Sequence, residues 1–200
     1  MTAQHSIDFF DRQFVRQVQA HDFALNPFEQ AALAHLRGEV LDFGCGIGNL
    51  SVAAARRGCT VWALDGSATA VAHLQRLAAS EALPIDARQA DLRDYAIDGD
   101  FDTVVAIGLL MFFDCPAAWR SLAALQARVR PGGTLIVNVL VEGTTYLDMF
   151  GASGHCLFSA EALVAAFADW QLLAVDKSEF GLDDGRCKRF VTVIASRPLT

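Results

Sequence analysis

The sequence of 200 residues lacks the patterns that mark membrane-spanning and nucleic-acid-binding proteins. A membrane-spanning helix needs about 20 consecutive, mostly apolar residues, and the charge-free stretches here, such as 103–113 and 131–141, are much shorter. Proteins that bind nucleic acid cluster Lys and Arg against the phosphates. Here the longest basic run is Arg56-Arg57 and the formal net charge is −7. The composition therefore predicts that neither membranes nor nucleic acids are partners.

The sequence also has few cysteines and no apolar segment at its N-terminus. Acidic Asp8 and Asp11 stand where a secretory signal would be apolar, so no signal is predicted there. The cysteines are odd in number, and no two have the Cys-x-x-Cys spacing of zinc ribbons. We therefore expect reduced thiols in a cytoplasmic protein, with no metal site and no disulfide framework. The cysteines are Cys45, Cys59, Cys115, Cys156 and Cys187.

What the sequence does contain is a regular alternation of strand-like and helical segments. With 53% hydrophobic and 20% charged residues, the chain can form one folded domain with its own core. Alternating strands and helices favour an α/β fold, in which a mostly parallel sheet is covered by helices on both faces. The predicted strands cover residues 39–43, 60–64, 85–90, 102–107, 135–140, 172–176 and 190–195.

Two helices are predicted ahead of the first strand. Apolar residues at helical spacing follow Ser6, which could cap the first helix. Asn26-Pro27-Phe28-Glu29 has the order of a second helix start, with a cap, a proline at the first position and an acid at the third. We therefore divide the chain into an N-terminal helical cap over residues 1–37 and an α/β domain over residues 38–200.

A glycine-rich turn follows the first predicted strand. Gly44, Gly46 and Gly48 permit a tight turn and let backbone N–H groups approach a ligand. Their spacing differs from the Gly-x-Gly-x-x-Gly of dinucleotide-binding turns, because Asn49 stands where the third glycine would be. Asp42, two residues before the turn, is badly placed for a pyrophosphate and well placed for a cationic ligand. The alternative is a glycine-rich turn that binds nothing.

Two further acids stand at the ends of the next strands. Asp65 ends the second strand, where a carboxylate can accept hydrogen bonds from both hydroxyls of a ribose. Asp91, followed by apolar Leu92, could accept a hydrogen bond from an adenine amino group. Each acid alone could equally cap a turn, but together with the glycine turn they favour an adenosine-containing ligand.

These segments together resemble class I S-adenosylmethionine-dependent methyltransferases, over about residues 39–140. The resemblance is carried by residues 40–51, Asp65, Ala90-Asp91-Leu92 and Arg130-Pro131-Gly132-Gly133. It implies S-adenosylmethionine as the cofactor and a Rossmann-like sheet of seven strands whose last strand is antiparallel. The cofactor site that it implies comprises Asp42, Gly44, Cys45, Gly46, Gly48, Asp65, Gly66, Ser67, Asp91, Leu92, Ile107 and Gly108.

Further short motifs resemble the tellurite-resistance methyltransferase family, which implies methylation of reduced tellurium or selenium oxyanions. The motifs are Phe9-Phe10-Asp11, Leu110-Met111-Phe112, Leu157-Phe158 and Arg189-Phe190. That family has a His-Arg pair in the loop before the last strand, whereas residues 178–182 here read Ser-Glu-Phe-Gly-Leu. The resemblance therefore leaves the acceptor open.

No residue stands out as a catalytic base, because the five histidines are scattered along the chain. Methyl transfer from a sulfonium depends mainly on alignment and exclusion of water, and soft nucleophiles need little help from a base. The glycine-rich segment 142–158 after the fifth strand is predicted to form a lid. Candidate acceptor-site or lid residues, which could instead serve only in packing, are Phe10, Phe14, Met111, Tyr146 and His155.

The sequence thus predicts a methyltransferase that acts on a small molecule, such as a metalloid oxyanion or a thiol. Two alternatives remain at this point. One is a protein that binds S-adenosylmethionine without catalysis, because no base is evident. The other is a nicotinamide-dependent oxidoreductase, which the glycine spacing and Asp42 disfavour. The sequence gives no indication of the oligomeric state.

Overall fold

The computed structural model describes residues 3–151 and 154–199. A sheet of seven strands in the order β3-β2-β1-β4-β5-β7-β6 forms its centre. The neighbouring pairs are parallel except those made by β7, which is antiparallel to both β5 and β6. The predicted α/β class with an antiparallel last strand is confirmed. The strands are β1 (Glu39–Phe43), β2 (Thr60–Asp65), β3 (Ile85–Gln89), β4 (Phe101–Ile107), β5 (Val129–Leu140), β6 (Gln171–Gly181) and β7 (Cys187–Ser196).

Six α-helices and a short 3-10 helix (Leu110–Phe112) connect or flank the strands in the described ranges. No helix in these ranges is long and apolar enough to cross a membrane. The predicted cap at Ser6 is wrong, because the helix already begins at Ala3 and no Pro or Gly in the preceding turn would stop it there. The helices are α1 (Ala3–Ala20), α2 (Pro27–Leu33), α3 (Asn49–Arg56), α4 (Ala68–Ser80), α5 (Cys115–Ala127) and α6 (Ala160–Ala165).

Side-chain caps fix where several of these helices begin. Asn26 and Glu29 form a capping box at the start of α2, as the sequence predicts. The Ser67 hydroxyl accepts a hydrogen bond from the Ala70 N–H at 3.0 Å and starts α4 directly after β2. In contrast, α3 follows Gly48 without any side-chain cap, so its first N–H groups are left for another partner.

The core has two halves, one on each face of the sheet. Side chains alternate along β1, so that Leu41 and Phe43 pack with α5 and α6 while Val40 packs with α2, α3 and α4. The few buried polar residues include Asp42 on β1 and Asn138 on β5. The edge strand β6 is exposed along nearly its whole length. The sheet therefore provides a rigid base whose carboxyl ends carry the loops.

The segment Pro131-Gly132-Gly133 lies inside β5 rather than in a turn before it, which corrects the predicted start of this strand at Leu135. Phe101 pairs with Val129, and the next pairing joins Thr103 to Thr134, so the extra residues form an irregularity in β5. The glycines allow this close approach, because a Cβ at Gly133 would lie 2.8 Å from a backbone oxygen of β4.

Cys115 and Cys156 form a disulfide, which contradicts the expectation that all the cysteines are reduced. The two residues are 41 positions apart, and their Cα atoms lie 4.6 Å apart. The sequence spacing could not show this, because the fold alone brings the start of α5 next to the segment that follows β5. Cys45, Cys59 and Cys187 are free.

Candidate active site

A cavity of about 1000 Å³ opens at the carboxyl ends of β1, β2 and β4. The chain order of the strands reverses between β1 and β4, and ligands of open α/β sheets bind at such a point. The walls of the cavity come from α1, α2, the glycine turn, the 3-10 helix and β7. All twelve residues predicted to bind the cofactor line this one cavity.

The glycine turn between β1 and α3 has a backbone that side chains would strain. Gly44, Gly46 and Gly48 have φ of +89°, +54° and +83°, in the left-handed region that favours glycine. The N–H groups of Gly44 and Cys45 donate to the Leu64 carbonyl at 2.8 and 3.0 Å, which holds the turn against β2. The uncapped start of α3 thus borders the cavity, where it could bind an anionic group.

Asp65 shapes the turn as well as lining the cavity. One carboxylate oxygen accepts a hydrogen bond from the Gly46 N–H at 2.8 Å, and the other accepts one from the Ser67 N–H at 2.8 Å. Burial raises the pKa of Asp65, and these two hydrogen bonds oppose that rise. Gly66 and Ser67, which follow Asp65, also line the cavity.

Asp42 is a buried acid beside the glycine turn, with 5% of its surface exposed. Its carboxyl group accepts a hydrogen bond from the Ser51 hydroxyl at 2.6 Å. Burial raises the pKa of Asp42 to about 7, and the nearby charges of Glu29 and Asp65 add to the rise, whereas the bond from Ser51 opposes it. A cationic ligand group at this end of the cavity would lie close to three acidic side chains, those of Asp42, Glu29 and Asp65.

Asp91 and Leu92 lie at the opposite wall, beyond β3. Asp91 is exposed and pairs with Arg93 at 2.8 Å, and this hydrogen-bonded pairing lowers the pKa of Asp91. Arg93 also lines the cavity, and the Asp-x-Arg spacing is the one sequence signal for it. Ile107 and Gly108 line the cavity at the end of β4.

The thiol of Cys45 is buried in the turn, and burial raises its pKa well above the usual range. A thiol that resists ionisation is a poor nucleophile, so Cys45 contributes its small size rather than reactivity. Cys45 lines the cavity.

The five candidate acceptor-site residues divide into two groups. Phe10, Phe14 and Met111 line the cavity, whereas Tyr146 and His155 do not. The His155 ring stacks on Phe150 with centroids 4.4 Å apart. Tyr146 lies beneath two cationic side chains, Arg186 at 4.8 Å and Lys188 at 4.5 Å from its ring centroid.

Several residues of the acceptor end could not be identified from the sequence, because they are distant along the chain and stand in none of the family motifs. These residues share no side-chain type, and they have in common only their position at the carboxyl end of the sheet. In segment 142–158, Met149 reaches the cavity, while residues 152–153 lie outside the described residues. The missed residues include Phe28, Glu29, Asn138 and Lys188, whereas Phe9, Phe112 and Phe190 belong to the short family motifs and Met149 to the predicted lid.

Helix α1 covers the glycine turn. The Ser67 hydroxyl donates a hydrogen bond to the Asp11 carboxylate of α1. Phe14 lies so close to the turn that a Cβ added at Gly46 would be 3.2 Å from its ring. The cap formed by α1 therefore limits access to this end of the cavity.

Comparison with known proteins gives one domain match and two kinds of relative. Residues 40–133 match the model of a methyltransferase domain family. Hemagglutinin 1 of Eikenella corrodens is 27% identical over 98% of this chain and 71% of its own length. A ubiquinone biosynthesis O-methyltransferase of Xanthomonas campestris is 36% identical over 58% of this chain. The chain spans about half the length of this methyltransferase, 51%.

Solved structures share the fold at low sequence identity. TehB from Haemophilus influenzae matches with a TM-score of 0.76 and 19% identity, over 90% of this chain and 65% of TehB. The N-methyltransferase NodS from Bradyrhizobium japonicum, in complex with S-adenosylhomocysteine, matches with a TM-score of 0.72 and 14% identity, over 97% and 99% of the two chains. The methyltransferase domain match over residues 40–133, the fold and the glycine turn together support a class I S-adenosylmethionine-dependent methyltransferase whose fold resembles that of TehB.

Proposed function

We propose that this methyltransferase transfers the methyl group of S-adenosylmethionine to a small acceptor held in the apolar end of the cavity. The observation that carries the proposal is that one cavity joins the complete set of expected cofactor residues to a wall of aromatic side chains. S-adenosylmethionine carries the methyl group on a cationic sulfur. After transfer of the methyl group, this sulfur leaves as a neutral thioether.

The residues present fit the parts of this cofactor. We assign Asp42 to its cationic amino group, because the amino group would supply a counter-ion for this buried carboxylate. We assign the uncapped start of α3 to its carboxylate, because free N–H groups border the cavity there. We assign Asp65 to the ribose hydroxyls, Asp91 and Leu92 to adenine, and Ile107-Gly108 to the side of the sulfonium.

The acceptor is proposed to be small and soft or weakly charged, with a thiol or a reduced metalloid anion as the first candidates. The cavity walls are apolar at this end, and the groups available for proton transfer there are few. Catalysis then depends on alignment and on the exclusion of water by the cap, residues 1–37, and by the lid, residues 142–158. The position of α1 over Gly46 and of Met149 in the wall supports these two roles.

We also propose a cytoplasmic location. Three free cysteines in the described chain support it, because free thiols persist in reducing compartments. In that compartment the bond between Cys115 and Cys156 would open and close with the redox state rather than serve as a permanent staple.

Calorimetry with S-adenosylmethionine and S-adenosylhomocysteine tests the cofactor site. Asp65→Ala should weaken binding at least about tenfold, because a charge-assisted hydrogen-bond acceptor is lost. Asp86→Ala is the matched control, since Asp86 is paired with Arg88 on β3 and is absent from the cavity wall. No binding of either ligand at millimolar concentration would refute the proposal.

Turnover tests catalysis separately from binding. Formation of S-adenosylhomocysteine should be followed with a panel of small thiols, metalloid oxyanions and amines. Acceptor-dependent turnover is the expected result. Tight cofactor binding without turnover on any member would favour the non-catalytic alternative, and efficient methylation of RNA, DNA or intact protein would contradict a small acceptor.

A further inference from the structure

The acceptor end of the cavity is walled by aromatic rings that the proposed cofactor site does not use. Phe10 and Phe112 meet edge to face with centroids 5.1 Å apart, and Phe28 and Phe190 lie 4.9 Å apart. All four line the cavity and come from four different elements. The faces and edges of these rings can form stacked or edge-to-face contacts with another aromatic ring. An aliphatic or inorganic ligand cannot form these contacts. The wall is therefore suited to a flat aromatic acceptor.

Lys188 is the cation that this cavity leaves without an acidic partner. The other cationic residue in the cavity lining, Arg93, is paired with Asp91 at 2.8 Å. Among the side chains that the structure describes, which begin at Phe9, no carboxylate oxygen lies within 4.0 Å of the Lys188 amine. Its neighbours on β7 and the preceding loop are paired, since Arg186 meets Asp148 and Asp184 and Arg189 meets Glu179.

The surroundings of Lys188 increase its attraction for an anion. Its amine lies 4.5 Å from the centroid of the Tyr146 ring, and the side chain is half-buried on β7, close to Phe190 in the same strand. Burial lowers the pKa of this ammonium, because it loses water without gaining a counter-ion. A ligand with a negative charge at this point would supply the missing partner.

We propose that the acceptor is an aromatic acid of the phenol or thiophenol class, bound as its anion with the ring between the phenylalanine walls and the charged atom facing Lys188. This inference rests on the proposed function and narrows its acceptor. The acceptor releases its proton to water as it binds. A lone pair of its oxygen or sulfur forms the new bond to the methyl carbon. The carbon–sulfur bond of the sulfonium breaks, and its electron pair stays on the departing sulfur.

Calorimetry on the protein saturated with S-adenosylhomocysteine tests this without requiring turnover. The probes are thiophenol, cyclohexanethiol of similar size, and tellurite as an inorganic anion. Thiophenol should bind at least about tenfold more tightly than cyclohexanethiol. Lys188→Gln should weaken thiophenol binding at least about tenfold, and Lys188→Arg should keep it within about threefold. Lys177→Gln is the matched control, because Lys177 is exposed and pairs with Glu161 on the outer surface.

Three results would overturn the inference: equal affinity for the two thiols, unchanged thiophenol binding in Lys188→Gln, or tighter binding of tellurite than of thiophenol. The affinity for S-adenosylhomocysteine should stay the same in Lys188→Gln, which separates an acceptor defect from a folding defect. Failure of the parent protein to bind S-adenosylhomocysteine would refute the proposed function instead. Thiophenol titrations of the ligand-free protein and its Lys188→Gln variant would then decide the acceptor inference by themselves.

Discussion

At the scale of single residues, the proposed role of Asp42 would link cofactor binding to pH. Its pKa of about 7 belongs to the ligand-free protein, in which the carboxyl group is buried beside other acids. Below that pH the group is neutral, and a cationic ligand must displace its proton to gain the charge interaction. Binding therefore releases a proton in acidic buffer and none in alkaline buffer.

We expect the dissociation constant for S-adenosylmethionine to rise as the pH falls below 7, by up to about tenfold per pH unit. Calorimetry at a series of pH values measures this. Asp42→Asn should bind more weakly at high pH and lose most of the pH dependence. Any dependence that remains would come from Glu29 and Asp65, whose pKa values burial also raises.

Ser51 provides a directional control for the same titration. Its hydroxyl donates to Asp42 and thereby lowers the pKa of that carboxyl group. Ser51→Ala should move the inflection of the binding curve to higher pH. An inflection that stays in place in both Ser51→Ala and Asp42→Asn would assign the pH dependence to another group.

At the scale of elements, local chemistry predicts the elements around the proposed cofactor site well. The apolar run that ends at Phe43, the glycine turn and the Ser67 cap place β1 at 39–43 and α4 at 68–80, as the structure has them. These features are encoded within a few residues, through side-chain alternation, backbone freedom and capping. The residues around the glycine turn could therefore be placed at one edge of the sheet before the fold was known.

The acceptor half could not be predicted in the same way. Phe28, Lys188 and Phe190 come together only because β7 inserts between β5 and β6 and α2 packs beside it. Tyr146 and His155 share the segment 142–158 with Met149, but of the three only Met149 lines the cavity. Composition indicates an apolar segment, whereas the direction of each side chain depends on tertiary contacts.

The disulfide between Cys115 and Cys156 ties the segment after β5 to the start of α5. The N–H of Cys156 also donates to the Met111 carbonyl at 2.9 Å, so the crosslink supports the 3-10 helix that carries part of the cavity wall. Closing a loop of this length in the unfolded chain is expected to stabilise the fold by about 2–4 kcal/mol. Removing the two cysteines should therefore lower the free energy of unfolding relative to the oxidised parent, but not relative to the reduced parent.

We therefore expect the variant with Cys115→Ser and Cys156→Ser to melt at a lower temperature than the oxidised parent, and to melt like the parent in reducing buffer. Cys187→Ser is the matched control, since Cys187 is free. Thiol titration of the unfolded, unreduced parent should find the three free cysteines, and reduction should expose the remaining pair. A full set of reactive thiols in protein purified under oxidising conditions would refute the bond.

At the scale of the whole molecule, the cavity draws its walls from nearly the full length of the chain. Residues from Phe9 in α1 to Phe190 in β7 border the same space, and the sheet joins them into one body. A ligand that contacts all these elements stabilises the folded state against global unfolding, not only against local opening. Thermal unfolding is therefore a direct measure of which cofactor the molecule accepts.

At a concentration about 100 times its dissociation constant, S-adenosylmethionine should add about 2.7 kcal/mol to the free energy of unfolding and raise the melting temperature by about 5–10 °C. S-adenosylhomocysteine should act in the same direction, whereas NAD and NADP should leave the melting temperature unchanged. Calorimetric scans measure these shifts. A shift with NAD alone would restore the oxidoreductase alternative, which the spacing of Gly44, Gly46 and Gly48 argues against.

The shape of the thermal unfolding transition tests whether the cap unfolds together with the sheet. Asp11 accepts a hydrogen bond from Ser67, and Phe14 lies against the glycine turn, so α1 shares the cavity with β1 and α4. A bound cofactor enclosed between them should make the cap unfold with the domain, in one transition. Hydrogen exchange should then show protection of α1 rising on cofactor binding together with that of the glycine turn. Protection that rises in the turn while α1 stays unchanged would mean that the cap leaves the cofactor site open.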